Sequence, residues 1–121
     1  SGGMRQRAAL ARTLAVDPSV LLMDEPFSAL DAQTKMVLQQ DLARTLSETG
    51  KTTLFITHDL VEAVALSDRI LVMSQRPGRI IDEITVEIGD RNDPMKRRQA
   101  PQVGNYVVKL MNLLQIDQAA A

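Results

Sequence analysis

Apolar positions recur at helical spacing from Met4 to Val16. Met4, Ala8, Ala11 and Ala15 lie three or four residues apart with Leu10 and Leu14 beside them, while Arg5, Gln6, Arg7 and Arg12 fall mostly on the other side. Asp17-Pro18 stops this helix, because a residue before proline disfavours the helical conformation. Val20–Met23 is a short, wholly apolar run, which predicts a strand buried on both faces as in a parallel sheet. Val37, Leu38, Leu42 and Leu46 give the apolar face of a helix over about 32–47, with Asp31 as its cap and Gly50 just past its end. Thr52–Thr57 predicts a second buried strand, and Asp59 with Glu62 resembles a capping box opening a helix to about Leu66.

Residues 69–74 predict a third strand. Arg76-Pro77-Gly78 predicts a turn, 79–82 an antiparallel return, and Thr85–Ile88 another short strand. Gly89–Pro94 is polar loop, and a last helix covers about 105–114 with Val108, Leu110, Met111 and Leu114 inward. Helices and strands alternate, so the fold class is α/β: a largely parallel sheet flanked by helices, with an antiparallel hairpin and a C-terminal helix. The pattern shows no internal repeat, no low-complexity stretch and no dividing linker, and 121 residues is the scale of one domain at most.

Composition narrows the function classes. Fourteen Lys and Arg against fifteen Asp and Glu give a formal net charge of −1, no basis for wrapping a nucleic acid. Aromatic residues are 2%, too few for base-stacking platforms. With no cysteine there is no disulfide framework and no thiol nucleophile, and with a single histidine there is no multi-histidine metal site. No apolar run approaches the roughly 20 residues that span a bilayer.

The chemistry concentrates at two strand ends. Val20-Leu21-Leu22-Met23 delivers adjacent carboxylates, Asp24 and Glu25, to the edge where open α/β sheets bind ligands. Neighbours on an extended chain point in different directions, so Asp24 suits a Mg²⁺ ion that keeps its waters and Glu25 suits handling an attacking water. The bland alternative is a strand ending in solvated acids. His58, 33 residues after Glu25, ends the second strand, where it can hydrogen-bond a phosphate oxygen and a water beside it. Its alternative is a surface or helix-capping histidine. Ser1-Gly2-Gly3 precedes a helix, and a glycine-rich helix start is an anion site or else an ordinary loop.

Taken in order and spacing, SGGMRQR, LLMDEP, SALD and THD resemble the nucleotide-binding ATPase subunit of ATP-binding-cassette (ABC) transporters, over about residues 1–79. The resemblance implies a partial P-loop NTPase domain and carries roles onto matching residues. Ser1, Gly2 and Gly3 match the signature motif, which contacts the γ-phosphate of ATP held by the opposite subunit. Asp24 matches the aspartate acting on Mg²⁺ through its water shell, Glu25 the catalytic glutamate and His58 the switch histidine. Asp31 closes the segment Ser28–Asp31 that matches the D-loop at the dimer interface. Met4 stands where the commoner form has Gln. SGGMRQR with Gln75–Ile81 looks like the nitrate, sulfonate and taurine importer branch. The implied partners are a second copy in a head-to-tail dimer, a transmembrane permease and, indirectly, a solute-binding protein, at the cytoplasmic face of the membrane. No nucleic-acid partner is implied.

The chain contains no G-x-x-x-x-G-K-[ST], the loop whose N–H groups and Lys hold ATP phosphates. Residues 1–121 therefore read as the C-terminal part of one ABC ATPase domain, without its phosphate loop or most of its helical subdomain, and inactive in isolation. Two other readings stand beside it. One is a soluble ABC ATPase of DNA repair or chromosome structure, disfavoured because only 16 residues separate Gly3 from Val20, without heptads. The other is a truncated interaction module. Lys96-Arg97-Arg98 reads as a solvated loop or helix face rather than a membrane patch, since Asp90 and Asp93 offset it.

Overall fold

A computed structural model describes residues 2–120, with side-chain surroundings for residues 4–116. Ser1 and Ala121 lie outside the described residues. The chain divides after His58 into two compact units.

The first unit holds α1 (Gly2–Ala15), β1 (Val20–Asp24), α2 (Ala32–Thr49) and β2 (Thr52–Ile56). The strands pair in parallel, Val20 opposite Thr52 through Asp24 opposite Ile56, with α2 as the crossover. Asp31 caps α2: its carboxylate accepts the Thr34 N–H and the Thr34 hydroxyl, each at 2.9 Å. Gly50 closes the helix in the left-handed conformation (φ 65°), where glycine carries no Cβ penalty, and its N–H returns to the Leu46 carbonyl. Lys51 pairs with Asp17, joining the start of β2 to the turn before β1. That hydrogen bond and the charge of Lys51 hold the Asp17 carboxyl below its ordinary range. Leu21, Phe27, Leu38 and Leu42 form the buried centre of this unit.

Two expectations change here. The inner face of α1 is Gln6, Leu10 and Leu14, all half-buried, whereas Met4, Ala8, Ala11 and Ala15 are exposed. Both stripes have helical spacing, and the larger side chains of Leu10 and Leu14 gain more from burial than alanines do. The second change concerns β1, which is buried on one face only. Leu21 is 1% exposed, while Val20 and Leu22, on the opposite face, are 60% and 70% exposed, beside exposed Leu54 and Ile56 of β2.

That apolar face carries no charge before Asp24, so nothing on it opposes a second copy. The isolated 121-residue chain is expected to self-associate, its sedimentation coefficient rising with concentration. Replacing Leu22 and Leu54 with Lys should abolish the rise. A concentration-independent monomer for the unaltered chain would contradict the expectation.

The second unit holds α3 (Leu60–Leu66), the antiparallel pair β3 (Arg69–Met73) and β4 (Ile80–Thr85), α4 (Pro94–Arg98) and α5 (Val103–Ala120). The Asp59 side chain caps α3 through the Glu62 N–H at 3.0 Å. The turn falls on Arg76-Pro77-Gly78 as expected, with a cis Arg76–Pro77 peptide and a register shift between Val72 and Met73. Thr85–Ile88 is not a separate strand: Thr85 ends β4, and the Val86 N–H adds one bond to the Asp68 carbonyl. The architecture is the expected α/β one, with a two-stranded parallel part and an antiparallel hairpin.

Val64, Val72, Ile84, Val86, Val103 and Leu110 form the core of this unit. The buried stripe of α5 runs Val103, Val107, Leu110 and Leu114, and Val108 and Met111, expected inward, are exposed. Starting the helix at 105 misses Val103, the residue that sets this stripe's phase. The basic run is also not a solvated face, because Arg97 is 2% exposed. Its guanidinium donates to the Ser67 carbonyl at 2.8 Å and the Ile88 carbonyl at 2.9 Å, joining the end of α3 to the segment after β4. Burial lowers its pKa from the ordinary arginine value, offset in part by the charge of Asp68.

Candidate functional site

The site is built on the C-terminal ends of β1 and β2. Asp24 is the last residue of β1 and is exposed. Glu25 follows with φ 45°, a left-handed conformation that a non-glycine residue adopts at a cost and that often marks a functional turn. Three bonds hold it there. The Glu25 N–H donates to the Ile56 carbonyl at 2.8 Å, extending the parallel ladder by one rung. The Glu25 carbonyl accepts the Ser28 N–H at 3.3 Å and the Ser28 hydroxyl at 3.1 Å. Beneath the turn Phe27 is buried, its ring centroid 5.9 Å from that of Phe55 on β2.

His58 stands two residues past β2, and its Nδ1 meets Oε1 of Glu25. An ionised carboxylate only accepts, so in this pair Nδ1 is the donor and Glu25 Oε1 the acceptor. The His58 side chain is 80% exposed and that of Glu25 41%, so the pair stands in solvent, where such contacts stabilise the fold little. The contact commits one ring nitrogen of His58 to Glu25.

The remaining candidates are placed separately. Gly2 and Gly3 form the first turn of α1 rather than a loop before it, and Ser1 is outside the described residues. Asp31 is occupied as the cap of α2; the Thr34 backbone N–H, then its hydroxyl, hold the Asp31 carboxyl below its ordinary range. Among the described residues no side-chain hydrogen bond joins Asp24 or Asp31 to the Glu25–His58 pair.

One residue with a part in this site was invisible in the sequence pattern. Gln6 falls among polar positions of α1, yet it is half-buried and its amide donates to the Pro26 carbonyl, next to Glu25. Arg7 beside it reaches Asp41 of α2 at 2.9 Å, and Arg44 reaches the same carboxylate at 3.0 Å. Nothing in helical periodicity separates a glutamine that faces solvent from one that takes a carbonyl from a neighbouring loop.

Among the described residues no cluster of three or more His, Asp or Glu side chains is arranged to hold a metal. Asp24 is a single exposed carboxylate at the end of β1, and a lone carboxylate can hold only an ion that keeps most of its own ligands, as Mg²⁺ does.

The ABC transporter family profile matches residues 1–28. An uncharacterised ABC transporter ATP-binding protein of Methanocaldococcus jannaschii is 46% identical over 114 residues, covering 94% of this chain and 41% of that protein. The ABC transporter ATP-binding protein YtlC of Bacillus subtilis is 59% identical over 86 residues, 71% of this chain and 33% of its own length. The taurine import ATP-binding protein TauB of Roseobacter denitrificans is 44% identical over 117 residues, 94% of this chain and 44% of its own. The chain thus spans less than half the length of these curated relatives. On this likeness, which covers most of its length, the chain belongs to the ABC transporter ATP-binding family.

Proposed function

We propose that this chain is the C-terminal part of the ATP-hydrolysing subunit of an ABC importer for taurine, nitrate or a sulfonate. The contact between Glu25 and His58 at the ends of two parallel strands carries the reading. Likeness to proteins named for taurine import supports the solute class.

The roles follow from what each side chain can do. Asp24 holds Mg²⁺, through the ion's water shell. Glu25 orients the attacking water and accepts its proton. His58, held by Glu25 through Nδ1 beyond the C-terminal end of β2, contacts the phosphate and the water beside it. Bound Mg-ATP supplies the phosphoryl group and the charge neutralisation its transfer needs. The first-turn N–H groups of α1, at Gly2 and Gly3, lack intrahelical acceptors and suit the γ-phosphate of ATP held by a second copy, the role Ser1, Gly2 and Gly3 share as the signature motif. Asp31 lies at that copy's interface while capping α2. The subunit partners a permease at the cytoplasmic face of the membrane, with a solute-binding protein acting indirectly. No helix among the described residues is long and apolar enough to cross a membrane.

The test is ATP turnover by the full-length polypeptide that carries this chain, assembled with its permease. Mg-dependent hydrolysis is expected, with His58→Ala lowering turnover strongly and leaving ATP binding in place. The 121-residue chain alone, which has no phosphate loop, is expected to hydrolyse no ATP. Robust turnover by the isolated chain, or none by the assembled full-length protein, would sink the reading.

A further inference from the structure

We infer that Gln6 is a positioning residue for the Glu25–His58 pair, acting through the carbonyl of Pro26. The turn after β1 is held from three directions. The Glu25 N–H is tied to β2 through Ile56, and the Glu25 carbonyl is tied within the turn through Ser28. The third tie comes from α1, where the Gln6 amide donates to the Pro26 carbonyl. Proline has no N–H, so that carbonyl is the only backbone hydrogen-bonding group Pro26 offers, and Gln6 takes it.

The surroundings make this contact directional. Gln6, Leu10, Met23, Pro26, Phe27 and Leu38 line one small apolar cleft between α1 and the strand end. The Gln6 amide enters it beside the Arg7–Asp41 pair at its edge. Arg7 on the same turn of α1 pairs with Asp41 of α2, so the glutamine projects from a helix turn that meets α2. Glu25 has a left-handed backbone that local preference does not favour, and its side chain is aimed at His58 only while the turn keeps that geometry. Releasing Pro26 removes a tie to the turn that comes from α1, and the Glu25 carboxylate and the His58 ring lose their alignment together.

The activity arm of the test rests on the proposed ATPase reading, and the spectroscopic arm does not. Gln6→Met keeps the length and apolar packing of the side chain and deletes the donor. Gln6→Glu keeps its shape and also deletes the donor. Both are made in the full-length polypeptide, with His58 signals assigned by their loss in His58→Gln. The expected result is that the ¹⁵N resonances of the His58 ring move toward those of Glu25→Gln. With them, kcat for ATP falls between about tenfold and a hundredfold, the scale on which misplacing a reacting group by about 1 Å acts. KM for ATP and the melting temperature stay at their wild-type values.

Wild-type ring resonances and wild-type kcat in both variants would overturn the inference; if Glu25→Gln still abolished turnover, the ATPase reading would survive. A melting temperature that falls together with the ring signal in both variants would also overturn it, by making Gln6 a structural residue. If the ring resonances respond to Gln6 but the wild-type protein hydrolyses no ATP, the positioning stands and the ATPase reading falls.

Discussion

Glu25→Gln is expected to abolish ATP turnover in the full-length subunit while leaving ATP binding intact. The amide has nearly the shape of the carboxylate and can still accept a hydrogen bond from His58 Nδ1 through its oxygen. It cannot accept a proton from water. A lost general base lowers rates by about 10²–10⁴-fold. The backbone of the turn does not depend on the charge, because its bonds run through the Glu25 N–H and carbonyl. Stability should therefore stay near wild type, which separates loss of chemistry from loss of fold. Nucleotide binding and single-turnover hydrolysis, measured on the same preparation, check both halves. Turnover within a few-fold of wild type would remove Glu25 from the reaction.

The second large effect is on stability, at Arg97. Arg97 is 2% exposed, and its guanidinium donates to the Ser67 and Ile88 carbonyls, with a longer contact of 3.5 Å to the Val64 carbonyl. Arg97→Ala leaves these carbonyls without their donor and opens a cavity beside Val64. Hydrogen bonds from a charged donor contribute about 1.5–3 kcal/mol each, partly offset by relief from burying the charge. A loss of about 3 kcal/mol is expected.

Arg97→Lys should recover only part of it. One ammonium cannot reproduce two donors on separate arms of a planar fork. The chain has one tyrosine and no tryptophan, so fluorescence during urea unfolding reports from Tyr106. That residue lies in the same unit, its hydroxyl accepting the Glu87 N–H at 2.8 Å. An Arg97→Ala midpoint equal to wild type would show that the buried charge contributes nothing.

Legibility followed the range of the interaction. Asp31, Gly50 and Asp59 could be assigned as helix ends because capping involves residues three or four apart in the chain. The strands at 20–24 and 52–56 were legible as apolar runs bounded by turn residues, and the turn at 76–78 by its Pro-Gly pair. Helix faces were less legible. In α1 two stripes share helical spacing, and only the partner selects between them. In α5 the phase depends on Val103, two residues before the expected start. Arg97 shows the same limit in reverse: three consecutive basic residues look solvated, yet one is buried because two carbonyls more than a few residues away need its donors.

By itself the sequence determined the α/β order of elements, the caps that delimit them, and the family, through the order and spacing of its motifs. It also placed Asp24, Glu25 and His58 at strand ends, because apolar runs of strand length end there. Only the tertiary structure decided that Glu25 and His58 touch, that Glu25 turns left-handed to do so, and that Gln6 reaches the carbonyl beside it. It alone showed that one face of the β1–β2 pair is open and that Arg97 is buried. The physical reason is common to all of these. Local propensity and capping are written within one turn or one strand, whereas contacts between residues 20 or 33 positions apart exist only after the strands have paired and the helices have chosen which stripe to bury.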